Sequence, residues 1–269
     1  MRGGRGARAT GVSHRLSGAV VAMAALVTAA ITGLTGLTGL TGCQGPSGQF
    51  FVVQNQVPTD GCTIPAEKGQ YRGQGVLDVR VPNISAETGY FLFPLLQNDL
   101  PVDSDDGVEP NRIALTGFEV DVTVVDGSAA ARDFFAALSG DPAGAALMRF
   151  QSPWSGSIDP GGGNLAAATT AVPAEMARRL RDEDILAGGT DVRINAHVRA
   201  VGNKLGARVS SDTFTYPIRI CDGCLINSVT ACPRAGEVLS GSACNPGQDS
   251  LVDCCTDGST LVCPATRAQ

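Results

Sequence analysis

Cysteine placement limits what this chain can fold into more than any other feature. Nine cysteines stand at positions 43, 62, 221, 224, 232, 244, 254, 255 and 263, and seven of them crowd into residues 221–263. That stretch has little apolar content, and a segment that cannot hold its shape by burial must be held by bridges. Cys254 and Cys255 are adjacent and do not easily bridge to each other, so each should take a separate partner. Seven is an odd number, so the tail cannot pair within itself. If Cys43 is otherwise engaged, one tail cysteine must reach back to Cys62. That would set the start of the folded domain beside its end, as expected if its first and last strands are neighbours.

What precedes Cys43 says how it is engaged. Residues 1–18 carry Arg2, Arg5, Arg8 and Arg15 and no acid, and a small, apolar run from Ala19 to Ile31 follows. A positive head, an apolar stretch of this length and small residues before a cut site make a secretory signal peptide. A membrane-spanning helix would take roughly 20 predominantly apolar residues, and here Gly33, Gly36 and Gly39 interrupt soon after Ile31. Those glycines belong to a tandem Thr-Gly-Leu repeat over residues 32–42. A glycine in every third position favours neither a stable helix nor a heptad.

The last unit, Leu40-Thr41-Gly42-Cys43, resembles the lipobox of bacterial lipoprotein precursors. The resemblance covers the signal peptide only. It implies a diacylglyceryl (palmitate-type) modification of the Cys43 sulfur, cleavage between Gly42 and Cys43, and acylation of the new N-terminus. One acyl chain, at about 0.8 kcal/mol per buried methylene, binds a membrane only marginally, whereas two or more hold stably. Gln44 stands where an inner-membrane retention signal would place Asp, so by the general lipoprotein sorting rule the outer membrane is favoured. Residues 1–42 are then the signal peptide, 43–49 a lipidated tether, 50–220 the main domain and 221–269 a cysteine-rich cap.

With Cys43 given to lipid, Cys62, Cys221, Cys224, Cys232, Cys244, Cys254, Cys255 and Cys263 remain, an even set of disulfide candidates. Export makes disulfides the default reading. Cys221-Asp222-Gly223-Cys224 has the spacing of a zinc ribbon, but the tail holds neither a second C-x-x-C nor a histidine. A thioredoxin-type pair would open a helix in a βαβ unit, whereas this one follows a strand-like run and enters a loop. Twenty basic residues, less the four removed with the signal, face 26 acidic ones and leave a net charge of −10. Such a domain has no electrostatic footprint for nucleic acid and would be repelled by anionic membrane surfaces.

After Phe50 the pattern is that of strands. Phe50–Val57 is aromatic and β-branched, and Gly75–Val81 alternates up to Pro82. Tyr90–Leu96 is apolar on both faces, with Pro94 marking an edge or a bulge. Phe118–Val124 alternates with its even positions inward. Arg149–Ile158 holds Trp154, the single tryptophan. Asp191–Val201 puts Val192, Ile194, Ala196 and Val198 on one face and Arg193, Asn195, His197 and Arg199 on the other. A last strand carries Phe214, Tyr216, Ile218 and Ile220 toward the core. Seven such strands predict an immunoglobulin-like antiparallel β-sandwich. Two crossover helices interrupt it. One starts with Pro173 as its first helical residue, buries Met176 and Leu180, and pairs Glu175 with Arg179. A weaker one over 129–138 buries Phe134 and Leu138.

Candidate chemistry is sparse. His197, the one histidine after the cleavage point, lies on a polar strand face and reads as solvated rather than catalytic. No nucleophile elbow, phosphate-binding glycine loop or zinc-protease motif is present. Asp103, Asp105, Asp106 and Glu109 gather hard oxygen ligands of the kind calcium takes, but their spacing departs from the EF-hand loop, and a solvated acidic turn is favoured. No metal site or cofactor is therefore expected. The segments Ala243–Asp249 and Asp253-Cys254-Cys255, the pattern near Cys62, and the strand Phe214–Cys221 resemble those of myxobacterial envelope lipoproteins, a resemblance that implies no activity. Two functional classes follow. One is a non-enzymatic binding or structural module for an envelope protein or glycan, for which an exposed aromatic such as Trp154 would speak. The other is an envelope hydrolase built on paired carboxylates in a pocket.

Overall fold

A computed structural model describes residues 50–59, 61–81, 89–103, 109–232, 244–257 and 260–263. The export segment, Cys43 and the tether lie outside the described residues, as do Asp105 and Asp106. The structure is mainly β, with 51% of the described residues in strands that form curled, half-barrel sheets.

The first half of the chain supplies β1 (Phe50–Gln56), β2 (Tyr71–Arg72), β3 (Gly75–Asp78), β4 (Tyr90–Leu92), β5 (Pro94–Asn98) and β6 (Ile113–Gly127). Helices α1 (Ala129–Gly140) and α2 (Pro142–Met148) lead to β7 (Arg149–Ile158), β8 (Gly163–Ala166) and β9 (Thr169–Val172). After α3 (Ala174–Asp182) come β10 (Asp191–Lys204), β11 (Ala207–Ser210) and β12 (Phe214–Cys221). The tail adds β13 (Ile226–Ala231), β14 (Val252–Asp257) and β15 (Thr260–Val262).

Alternation in the sequence becomes sheet faces. One sheet runs β2-β1-β5-β8 and a larger one runs β3-β12-β10-β6-β7, with β11 on β10. Phe118, Val120 and Val122 of β6 and Val192, Ile194, Ala196 and Val198 of β10 all point inward and are buried. They join Phe50 and Leu96 of the smaller sheet in one core cluster. At roughly 1.5–3 kcal/mol per fully buried large apolar side chain, this cluster is the main source of stability for the body. The neighbour of β12 is not the first strand but β3, which lies parallel to it with Gly75 opposite Ile218. The first strand sits in the other sheet, between β2 and β5.

Tyr90–Leu96 is not one strand. The chain breaks at Phe93 and delivers β4 to β9 and β5 to β1. Pro94 then begins a strand, where its missing N–H costs least. Asn55 Oδ1 accepts from Phe93 N at 2.7 Å and so fixes the corner.

The first two helices begin where side chains cap them. Ser128 Oγ accepts from Ala131 N at 3.1 Å ahead of α1, and Asp141 Oδ2 from Gly144 N at 2.8 Å ahead of α2. Helix α2 is additional to the two expected helices. In α3, Pro173 is the cap rather than the first helical residue, and Met176 and Leu180 are fully buried. The expected Glu175–Arg179 pair does not form. Glu175 pairs with Arg178 at 2.5 Å, and Arg179 pairs with Glu183 at 3.0 Å. Arg179 also lies 5.5 Å from the centre of the Phe134 ring, which orients it toward α1 and away from Glu175.

The tail packs differently. β13 pairs in parallel with β14, and β15 closes antiparallel on β14. Its small core is Val81, Val252, Cys254 and Cys263, with Ile226 and Leu261 against them. The eight described cysteines lie in four bonded pairs, Cys62–Cys244, Cys221–Cys224, Cys232–Cys255 and Cys254–Cys263, with Cα–Cα separations of 5.3, 5.9, 4.6 and 4.2 Å.

Candidate functional site: a polar groove and a buried seam

Outward-facing residues of the larger sheet form a groove of about 730 Å³. Because side chains alternate across a strand, Glu119 and Asp121 of β6 share this face with His197 and Arg199 of β10. Arg149, Gln151 and Thr213 complete the polar lining, and Val120 and Phe150 add small apolar stretches. Asp121 Oδ2 accepts from Arg149 Nη2 at 2.5 Å and Nε at 3.0 Å. Glu119 Oε1 accepts from Arg208 at 2.6 Å, while Arg199 stands 3.8 Å from its other oxygen. His197 is half-buried, with Nε2 3.0 Å from Thr123 Oγ1 and Nδ1 3.0 Å from Thr215 Oγ1. A ring tied on both nitrogens to hydroxyls of the neighbouring strands is held in place.

This face holds two carboxylates in one concavity, which is what a hydrolase would need. General-acid chemistry requires a carboxyl kept away from cations. Here Glu119 is paired with Arg208 and Asp121 with Arg149. What this face offers is a dense, charge-balanced array of donors and acceptors. Exposed ion pairs contribute only about 0–1 kcal/mol each, so an incoming polar ligand can replace them at little cost.

A second polar cluster is sealed instead of open. The tail segment Gly247–Asp249 runs along β3, with Asp78 N donating to Gly247 O at 2.8 Å and Asp249 N to Val76 O at 2.9 Å. Asp249 Oδ1 accepts from Val76 N at 2.7 Å and Oδ2 from the Tyr90 hydroxyl at 2.8 Å. Tyr90 and Tyr216 place their hydroxyl oxygens 3.3 Å apart. Gln248 brackets Phe91, accepting from its N–H at 3.0 Å and donating to its carbonyl at 2.7 Å. Burial pushes the Asp249 carboxyl above its ordinary value, against the pull of the Val76 amide, the Tyr90 hydroxyl and Arg72. Burial, and then the Asp249 charge, hold the Tyr90 hydroxyl far above the usual phenol range. A methyl group on Gly75 would collide with the Tyr90 ring, so glycine there makes room for the seam. The cluster binds the tail to the body and leaves little room for a ligand. Its members could not be grouped from sequence, because Asp249 sits in a stretch with no periodicity.

Trp154 is not an exposed platform. It is half-buried against the core, and its indole Nε1 is buried without an acceptor, because β7 turns its even-numbered residues inward. The Glu109 carboxylate is taken by backbone amides, Asp103 N at 3.1 Å and Asn111 N at 2.9 Å. Asp105 and Asp106, the other calcium candidates, lie outside the described residues. Among the described residues, the set spaced to hold a metal ion is Asp78, Cys221 and Cys224. Comparison of the chain with family models, curated proteins and solved structures finds no match.

Proposed function

We propose that this chain is an exported bacterial lipoprotein, anchored through acylated Cys43 to the outer membrane, that acts as a non-enzymatic binding module. The body is read as an immunoglobulin-like sandwich elaborated by helices, a parallel β3–β12 edge and a disulfide-bonded cap. Its support is the pair of mainly antiparallel sheets around one core. The anchor reading rests on the lipobox and on the cysteine count. The eight cysteines after position 43 pair with one another, which supports giving position 43 to lipid. Cys43→Ser should move the protein from the membrane fraction to the soluble envelope fraction. Retention on membranes would overturn the anchor.

The observation that carries the binding reading is the groove over Glu119, Asp121, Arg149, Gln151, His197 and Arg199. Its volume falls within the range of small-ligand sites, roughly 300–1,000 Å³, but its lining is polar. Such a lining suits a hydroxyl-rich ligand, and for an envelope protein that class is glycan. Titration calorimetry with envelope glycan fragments tests it. Binding should fall about tenfold or more on Arg199→Ala or Gln151→Ala, since each removed hydrogen bond to a charged or polar partner is worth about 1–3 kcal/mol. Equal binding by the variants would remove the groove from the account. Release of cleaved sugar would turn the reading to the carboxylate hydrolase.

A further inference from the structure

Asp78, Cys221 and Cys224 place a carboxylate oxygen and two sulfurs within 4.8 Å of one another at the junction between body and tail. Cys221 is the last residue of β12, Asp78 the last of β3 beside it, and the two stand opposite each other in the parallel register. The Asp78 carboxylate is buried and held from the backbone. Its Oδ1 accepts from Arg80 N at 3.0 Å and Gly223 N at 2.7 Å, and its Oδ2 from Leu225 N at 2.7 Å. A carboxylate has about four acceptor positions, so one on Oδ2 remains. The turn itself is braced, since Arg80 forks onto both oxygens of Asp222 at 2.6 and 2.8 Å.

The bridge between these two cysteines is the one the fold needs least. Its ends are 3 residues apart, whereas the other three bridges span 9, 23 and 182 residues. Stabilisation by a cross-link grows with the loop it closes, and this loop is already held by the Asp78 amides and the Arg80–Asp222 fork. Cys224 is half-buried rather than sealed, so a small reductant can reach it.

We propose that opening the Cys221–Cys224 bridge creates a site for one zinc-class divalent cation, ligated by the two thiolates and Asp78. The step balances with a dithiol as reductant. One of its thiolates attacks the Cys224 sulfur and frees Cys221, and its second thiol then displaces Cys224. The protein gains two electrons and two protons, and the reductant leaves as its disulfide. Cation binding then expels the two thiol protons. Two sulfurs and one carboxylate oxygen match the donor types zinc takes, and three protein ligands leave its fourth position to water or another donor. The amides on Asp78 are outer-shell partners that fix the carboxylate's direction before a cation arrives. The site differs from the four-cysteine ribbon rejected from sequence, because the third ligand comes from β3, far away in the chain.

Cobalt titration of the full folded chain tests this, using the thiolate-to-cobalt charge-transfer absorption. After treatment with one equivalent of dithiol the band should appear at one cobalt per chain and vanish on adding zinc. Untreated protein should show none. Alkylation after the same treatment should label Cys221 and Cys224. Cys224→Ser leaves Asp78 and its amides in place and should abolish the two-sulfur band, and Asp78→Asn should weaken cobalt binding about tenfold or more. A missing band in the reduced protein, an undiminished band in Cys224→Ser, or first labelling at another cysteine pair would each overturn the proposal.

Discussion

The body and the tail of this protein solve the same problem by different means. In the body, three helices and three sheets, the third being the β4–β9 pair, bury one cluster that runs from Phe50 to Ile220, and shape follows from apolar burial. The tail buries Val81 and Val252 and fills the rest of its small core with half-cystines. Where burial runs short, covalent links and a sealed polar seam take over. The difference teaches that the two regions should fail under different insults, the body to cavities and the tail to reduction and to pH.

The largest effect is expected at Cys62–Cys244, whose ends are 182 residues apart. In the loop-entropy picture such a link contributes about 5 kcal/mol. Cys62→Ser with Cys244→Ser should therefore release the tail to limited proteolysis at low protease while the body keeps its far-ultraviolet circular dichroism. If body and tail melted together, the contrast between them would be lost. Next comes the body. Phe118 is fully buried, and Phe118→Ala should cost about 3–5 kcal/mol in denaturant unfolding without opening the tail to limited proteolysis before global unfolding.

The smallest and sharpest effect concerns Asp249. Its folded carboxyl is raised above its ordinary value of 3.8 by burial. The folded state therefore holds the proton more tightly than the unfolded chain does. The stability this confers is complete below the unfolded value and is lost as pH rises through the folded one. Tail docking, followed by hydrogen exchange at Val76 and Asp249, should weaken as pH climbs from that ordinary value toward neutrality. Asp249→Asn should flatten the slope. An equal slope in the variant would mean that another group carries the pH dependence.

Much of the body was legible because alternation is a local signal. Arg149–Ile158 and the run starting at Asp191 are strands at the expected positions, and Met176 and Leu180 are buried where their helical spacing puts them. Of the candidate site, alternation assigns His197 and Arg199 to one face, yet nothing in the sequence says that Glu119, Asp121 and Arg149 stand beside them. Trp154 shows the same limit. Its strand was plain, but the direction in which that strand turns its side chains depends on which neighbour it joins.

Sequence by itself determined the strand-forming stretches and the faces those strands present. It also required that the tail not pair within itself once Cys43 is given to lipid. Each of these depends on residues close together in the chain or on a count. Only the tertiary structure decided that β3 lies along β12, that Phe93 turns the chain between two sheets, that Cys244 is the cysteine beside Cys62, and that Asp249 is sealed against Tyr90. Those pairings join residues far apart in sequence, and they are selected by the total burial of the whole chain, a quantity that no local pattern encodes.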